Sequence, residues 1–152
     1  MKRKASKILS AAIIALYVSL LIVSSTSLFS ISSTLVGSLE RVEDVRFDST
    51  TNPLTGVVDL AVRVPIRNRG IIEVNVSVAV KLVSADGTVV AEGSDSRRIG
   101  PGETEELLVV ATFLRGTVDS ADLSFECRAF FDLVGLSFSM RVETPTEGYP
   151  SP

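Results

Sequence analysis

Two hydrophobic patterns divide the chain near residue 43. The first is a charge-free segment from Ile8 to Leu39, and its part from Ile8 to Val23 is apolar on nearly every side of a helix. A helix of about 20 apolar residues crosses the hydrocarbon core of a bilayer. We therefore predict a transmembrane helix or signal anchor over residues 8–28, with the membrane as its partner.

The flanks of this helix predict its orientation. Residues 1–7 carry four basic side chains and no acid, whereas Glu40, Arg41, Glu43 and Asp44 follow the apolar run. Positive flanks stay in the cytoplasm. We expect a single-pass protein of the cell membrane with a cytoplasmic basic segment, residues 1–7, and an extracytoplasmic domain. As a helix, the 32 charge-free residues would be about 48 Å long, more than a bilayer needs, so we interpret residues 29–42 as a stalk or linker.

Two other features of the segment bear on its role. Ser25-Thr26-Ser27 offers small residues before Leu28, as a cleaved signal peptide would, but apolar residues resume at Leu28, which favours an uncleaved anchor. Small residues at Ala11, Ala15 and Ser19 have the four-residue spacing that lets helices approach closely, a weak indication of self-association.

The second pattern alternates with a period of two. Val58, Leu60, Val62, Val64 and Ile66 share one face, and the run from Ile72 to Leu82 repeats the alternation after a turn at Asn68-Arg69-Gly70. Asp86-Gly87 and Gly100-Pro101-Gly102 are further turns. Two later runs are predicted to point inward, and their members are Leu123, Phe125, Cys127, Ala129 and Phe131, then Leu136, Phe138, Met140 and Val142.

About seven such runs, with no amphipathic helix between them, predict an all-β fold. We interpret residues 43–146 as an immunoglobulin-like β-sandwich of about seven strands, preceded by the one transmembrane helix. The tail, residues 147–152, has too little apolar surface to fold and is expected to be disordered.

Composition narrows the function classes. The chain has no His and one cysteine, Cys127, which lies on an inward position and reads as a buried small hydrophobe. Four of the 15 basic residues lie in the first seven positions and all 18 acids follow Leu39, so the remainder carries −7. An acidic domain is a poor phosphate binder, which argues against nucleic acid as a partner.

Candidate sites are few. Asn75-Val76-Ser77 is an N-glycosylation sequon, so Asn75 is the one candidate modification site. The acids Glu103, Glu105 and Glu106 cluster beside a turn, as solvated acids do, and the pairs Asp44 and Asp48 or Asp119 and Asp122 are too sparse for calcium. We expect no catalytic residue, metal, cofactor or small-molecule substrate, and we interpret Asn68 as a turn former or a backbone-bonding residue.

The ordered motifs of the second region resemble those of LEA type 2 (late embryogenesis abundant) or WHy (water stress and hypersensitive response) domains. They are 56–68, an alternating strand ending in Asn, then Ile72-Glu73-Val74, the hairpin 86–93, Ile99-Gly100-Pro101-Gly102 and 131–140. Asn68-Arg69-Gly70 departs from the Asn-Pro more usual there. The resemblance implies a seven-stranded sandwich with a short helix, no catalytic residues or cofactor, and roles in stress protection and at membranes.

Two function hypotheses follow. The first is a non-enzymatic, membrane-anchored LEA2-like domain with a structural, protective or stress-related role at the cell envelope. The second is an envelope assembly or adhesion protein, such as an archaellum stator-like or pilus-associated subunit, that binds partner proteins through its sandwich. An exposed sheet edge would favour the second, because it could accept a strand from a partner.

Overall fold

The computed structural model describes residues 2–40 and 42–143. A helix, α1 (Lys2–Leu39), and a 3-10 turn at Val42–Asp44 precede seven strands. The strands are β1 (Arg46–Thr51), β2 (Val57–Arg67), β3 (Val74–Val83), β4 (Val89–Ile99), β5 (Thr104–Leu114), β6 (Ser120–Ala129) and β7 (Val134–Glu143). The predicted all-β fold with one N-terminal helix is confirmed. The tail expected to be disordered, residues 147–152, lies outside the described residues.

The strands form two antiparallel sheets. One has three strands in the order β1-β2-β5, and the other has four in the order β4-β3-β6-β7. Registers such as Val62 opposite Val109 and Val78 opposite Phe125 align the apolar positions of neighbouring strands on one face. The period-two alternation therefore gives each sheet one apolar face, and the two faces meet in a core.

The core is made almost entirely of β-branched and small side chains. Its most deeply buried members from the sandwich are Ile66, Val74, Val76, Ile99, Leu107, Val109 and Cys127. Ile31 of α1 belongs to the same cluster and is fully buried. One residue of the N-terminal helix is thus part of the core of the sandwich.

The two ends of the sandwich differ in what covers them. Loops 68–73, 100–103 and 130–133 lie at one end, next to α1, which we call the anchor end. Loops 52–56, 84–88 and 115–119 lie at the opposite end, which we call the far end. α1 contacts β2, β6 and β7, so the last turns of the helix close the anchor end of the core.

The helix itself runs without a break to Leu39, and Ala12–Ser38 is long and apolar enough to cross a membrane. Two exposed hydroxyls of the helix bond back onto it, since Ser19 donates to the Ala15 carbonyl at 2.8 Å and Thr26 to the Ile22 carbonyl at 2.7 Å. Such internal bonds suit a helix in lipid, where water is absent. The segment expected to be a stalk, 29–42, is helical to Leu39 and docks on the sandwich instead of standing apart from it.

The two sides of the sandwich are also unlike. We call the side where β4 of one sheet packs on β5 of the other the closed flank, and the side ended by β7 the open flank. β1 is the edge strand of the narrower sheet and is exposed along its whole length, so it does not pack on β7. The described residues therefore leave β7 with a neighbour on one side alone.

Two of the inward predictions need correction. Phe131 does not continue β6, which ends at Ala129, and its side chain is 89% exposed in the following loop. The row Leu136, Phe138, Met140 and Val142 does lie on the core-facing side of β7, but it is 42–53% exposed. The physical reason is the narrower opposite sheet, which provides nothing to bury the row.

Candidate functional site

The junction between α1 and the sandwich is organised by Asn68, at the end of β2. Its side-chain amide nitrogen donates to the carbonyls of Ile72 at 2.8 Å and Ile99 at 2.9 Å, and its side-chain oxygen accepts from the Gly70 N–H at 2.8 Å. Asn68 is fully buried. Because a buried amide must satisfy its polar atoms, these bonds tie the β2–β3 loop to the end of β4 around one side chain.

The helix adds its own contacts to this network. The Thr34 hydroxyl lies 3.1 Å from the Asn68 Oδ1 and 2.8 Å from the Ser30 carbonyl, and its single proton serves one acceptor at a time. The Ile71 N–H donates to the Ser30 hydroxyl at 3.1 Å. Gly70 packs directly on Ser30, where a Cβ would overlap it. The helix and the β2–β3 loop are therefore in close, specific contact.

An exposed ion pair closes the junction. Arg69 binds Glu40 at 2.6 Å, and the Arg69 side chain lies against Gly37 of the helix. The interpretation of Asn68 as a turn former or backbone-bonding residue is confirmed, and Asn68 also ties the turn to α1. Sequence reasoning missed Ser30 and Thr34. Their signal was the helical spacing of Ser27, Ser30 and Thr34 within an otherwise apolar run, which places them on one face.

The open flank is the second notable surface. The four apolar side chains of the core-facing row on β7 are Leu136, Phe138, Met140 and Val142, and we call them the β7 row. Phe138 stacks on Phe125 of β6 with ring centroids 5.4 Å apart, so the row continues the core outward. The opposite face of β7 carries Ser137, Ser139 and Arg141. This edge strand thus exposes its apolar face as well as its backbone.

The closed flank contrasts with it. Gly93 of β4 lies so close to β5 that a Cβ would overlap the Val110 carbonyl. The Leu108 N–H donates to the Asp95 carboxylate at 2.9 Å, which joins the two sheets by a hydrogen bond. Burial raises the pKa of Asp95, but the bonds from Leu108 and Ser96 and the charge of Arg97 lower it more, so the net pKa lies below its ordinary value.

The candidate glycosylation site, Asn75, lies on the outer face of β3. It is half-buried, and its amide donates to the Asp132 carboxylate at 3.4 Å. The two residues line a shallow pocket of about 210 Å³ together with Arg98 and Arg128. The sequon is therefore on the surface, beside the β6–β7 loop, and its use remains a prediction.

The thiol and the acids occupy ordinary structural positions. Cys127 is fully buried, and burial raises its pKa to about 12, which suppresses the thiolate that a nucleophile needs. Of the turn acids, Glu103 accepts from the Gly100 N–H at 2.9 Å and Glu106 pairs with Arg63 at 3.4 Å.

The sparse aspartate pairs are also spread over the surface. Asp48 pairs with Arg63 at 3.5 Å, and Asp122 binds Arg141 through both carboxylate oxygens, at 2.6 and 2.9 Å. Over residues 2–40 and 42–143, the structure brings together no group of three or more acid or Cys side chains that could hold a metal ion. The small-residue pair Ala15 and Ser19 lies on exposed helix, and the side chain of Ala11 lies outside the described residues.

Comparison with known proteins adds little to this picture. No protein-family model matches the sequence, and no curated protein matches it. Similar solved structures include a β-glucuronidase from glycoside hydrolase family 2, a β-glucuronidase from Bacteroides uniformis and a FixG-related protein from Vibrio parahaemolyticus. The resemblance to LEA2/WHy domains therefore stays a prediction.

These likenesses are distant. Identities are 14, 12 and 13%, TM-scores are 0.44, 0.45 and 0.40, and the matches cover 65, 65 and 66% of this chain. The chain spans 11 and 12% of the two β-glucuronidases and 94% of the FixG-related protein. At such identities and scores they carry no argument about function.

Proposed function

We propose that this chain is a single-pass membrane protein whose extracytoplasmic sandwich, without catalytic activity of its own, docks an extended segment of a partner protein along the open flank. The observation that carries the proposal is the β7 row, four apolar side chains left uncovered on an edge strand. The proposal has two parts, an anchor and a docking edge, and each has its own support.

The anchor part is supported by the length and polarity of α1. Ala12–Ser38 is a charge-free, largely apolar stretch of 27 residues, which exceeds what a bilayer core requires. A signal peptidase cut after Ser27 would remove a fully buried side chain from the junction with the sandwich, which favours an uncleaved helix. The four basic residues before the helix favour a cytoplasmic N-terminus.

The docking part is supported by the backbone and the side chains of β7 together. An edge strand presents unpaired N–H and C=O groups, which another chain can pair with. A helix laid on the β7 row would cover its apolar side chains but leave those backbone groups without protein partners. An extended segment with an apolar residue at every second position would satisfy both. We therefore assign the occupant to a strand of a partner protein.

The chain's own residues after β7 are less suited to this edge. The nine residues after Glu143 include Pro145, Pro150 and Pro152, which lack the N–H groups that a strand paired with β7 would donate. A second copy of the chain could offer its own β7, so that self-association becomes an alternative result of the test below.

The test relies on the low reactivity of the single native cysteine, Cys127. Cys127 is buried with a raised pKa, so a cysteine introduced elsewhere is the one that reacts. Met140→Cys places a thiol in the β7 row, and Val110→Cys places one on the closed flank at a similar exposure, 53% against 49%. Both full-length variants are treated in intact cells of the source organism with a membrane-impermeant, thiol-reactive photocrosslinker.

We expect both cysteines to be labelled in intact cells, and a cross-linked partner to form from Met140→Cys alone. Adding Phe138→Ser should lower that cross-link, and bound partner should slow hydrogen exchange at alternate β7 amides. Labelling that requires permeabilised cells would contradict the orientation. Equal or absent cross-links at the two positions would contradict docking and would favour the protective envelope role that the LEA2/WHy resemblance implies. A cross-link between two copies would identify the occupant as the chain itself.

A further inference from the structure

A group of large apolar side chains is exposed at the anchor end, next to the helix. Ile71 is 65% exposed, Phe131 89% and Leu133 76%, and Phe130 adjoins them at 40%. We call these four residues the anchor-end cluster. Ile71 lies in the β2–β3 loop and the others in the β6–β7 loop, and both loops follow strands that α1 contacts.

The β6–β7 loop holds an uncommon backbone conformation. Phe130, Phe131 and Asp132 have φ angles of 52°, 53° and 63°, in the left-handed region that bulky residues rarely adopt. The Leu133 N–H donates to the Phe130 carbonyl at 3.1 Å, and Asp132 accepts from Asn75. A strained loop that exposes three large apolar side chains is more economically explained by a function than by packing.

The height of the cluster along the helix can be estimated. The predicted span ends near residue 28, and Ile71 is hydrogen-bonded to Ser30. At about 1.5 Å of rise per residue, Ser30 lies about 3 Å beyond the end of the span. The headgroup region adds about 5–8 Å on each side of the hydrocarbon core. The cluster contact on α1 therefore falls at the level of the headgroups.

The chemistry of the cluster fits that layer. Aromatic side chains concentrate at membrane interfaces. The pocket beside Phe131 is lined by two basic residues, Arg98 and Arg128, and by two acids, Glu73 and Asp132, so its charges balance. An apolar cluster in a balanced setting needs no anionic lipid, and zwitterionic lipid should suffice.

We propose that the anchor-end cluster inserts into the interface of the bilayer that α1 crosses, holding the sandwich end-on against the membrane. The inference rests on the membrane anchor of the proposed function, but not on the docking edge. It assigns the membrane surface as a second binding partner of the folded domain, separate from the helix.

The test exploits the absence of tryptophan from the sequence. Phe131→Trp places one fluorophore in the cluster, in a side chain that is already almost fully exposed. Leu54→Trp is the matched control at the far end, where Leu54 is 94% exposed, and Leu20→Trp reports on the middle of the helix. Each full-length variant is reconstituted in phosphatidylcholine vesicles containing lipid brominated near the carbonyl end or near the terminal methyl of the acyl chain.

We expect the Phe131→Trp variant to emit at shorter wavelength than Leu54→Trp and to be quenched by the shallow bromines more than by the deep ones. Leu54→Trp should be unquenched, and Leu20→Trp should be quenched by the deep bromines. An unquenched Phe131→Trp beside a quenched Leu20→Trp would overturn this inference and leave the anchor intact. Equal quenching of Phe131→Trp and Leu54→Trp would overturn the end-on placement. An unquenched Leu20→Trp would overturn the anchor and this inference together.

Discussion

The closed and open flanks of the sandwich are built from similar strands, but the two sheets contact each other on the closed flank and leave the edge strand uncovered on the open flank. On the closed flank, Gly93 lets two backbones meet and Asp95 bonds across the sheets to Leu108. On the open flank, β7 has one strand neighbour and its apolar row is about half exposed. The same alternating pattern thus produces a sealed core on one side and an unfinished one on the other.

This difference between the flanks separates the side chains that stabilise the fold from those that are available to bind a partner. The core-facing side chains of β5 on the closed flank, such as Leu107 and Val109, are fully enclosed, so their removal leaves cavities that the fold cannot fill. Side chains of the β7 row are in contact with water in the free protein, so they contribute less to folding and are available to a partner. Substitutions matched in chemistry but placed on opposite flanks measure this separation directly.

The largest difference is expected for leucine truncation. Leu107 of β5 is fully buried and Leu136 of β7 is 42% exposed. Leu107→Ala should lower the free energy of unfolding by about 3 kcal/mol, and Leu136→Ala by less than about 1 kcal/mol. Thermal unfolding of the full chain in detergent micelles, followed by β-sheet circular dichroism, measures both. Equal losses would mean that the open flank is as much a core as the closed one.

A smaller difference is expected for glycine substitution. Gly93→Ala would force a Cβ against the Val110 carbonyl, and a backbone atom cannot easily move, so we expect a loss of about 2 kcal/mol. Gly135→Ala on β7 meets the flexible Arg128 side chain at 3.0 Å and should be nearly neutral. The same unfolding measurement applies. A neutral Gly93→Ala would show that the two sheets can separate at the closed flank.

The smallest difference between the two flanks is expected in how their stability depends on acidic pH. The hydrogen bond from Arg141 holds the pKa of Asp122 below its ordinary value of 3.8, and the Asp95 pKa is also lowered. A lowered folded pKa contributes stability that is present above pH 3.8 and is lost as the pH falls through the folded value. Asp95→Asn should therefore destabilise the chain at neutral pH, and the deficit should shrink below pH 3.8.

The open-flank acid provides the control for that titration. Asp122 and Arg141 are exposed, and exposed pairs add little stability. Arg141→Gln should return the Asp122 pKa toward 3.8 in a carboxyl carbon NMR titration and leave the unfolding temperature at neutral pH almost unchanged. A large loss of stability in Arg141→Gln would indicate that the open flank depends on this pair.

The sequence predicts most of the fold because alternation is a local signal. The faces of β2 and β3 follow directly from it, since Val62 and Val76 lie in the core as expected. The exposure of Phe138 could not be predicted in this way, because it depends on how many strands the other sheet contains. Register and sheet width are long-range properties that alternation leaves undetermined.

The junction illustrates a second limit. Residues 29–42 are predicted to be a stalk because the charge-free segment is longer than a bilayer requires, and nothing local in the sequence shows what the extra helical turns contact. The polar atoms of Ser30 and Thr34 acquire meaning once Asn68, far away in the chain, is found beside them. Likewise, Phe131 alternates correctly for a strand, but the left-handed backbone after Ala129 ends β6 first.

The bonds around Asn68 have a mechanical consequence. A helix that shares Ile31 with the core cannot swivel beneath the sandwich as a flexible tether would. In the proposed membrane anchor, the rotation of the helix about its own axis therefore sets the direction in which β7 faces. One residue inserted before Ser27 would turn that direction by about 100° without altering any contact inside the sandwich. Under the proposed anchor, every copy in one membrane would present β7 in the same direction relative to its own helix.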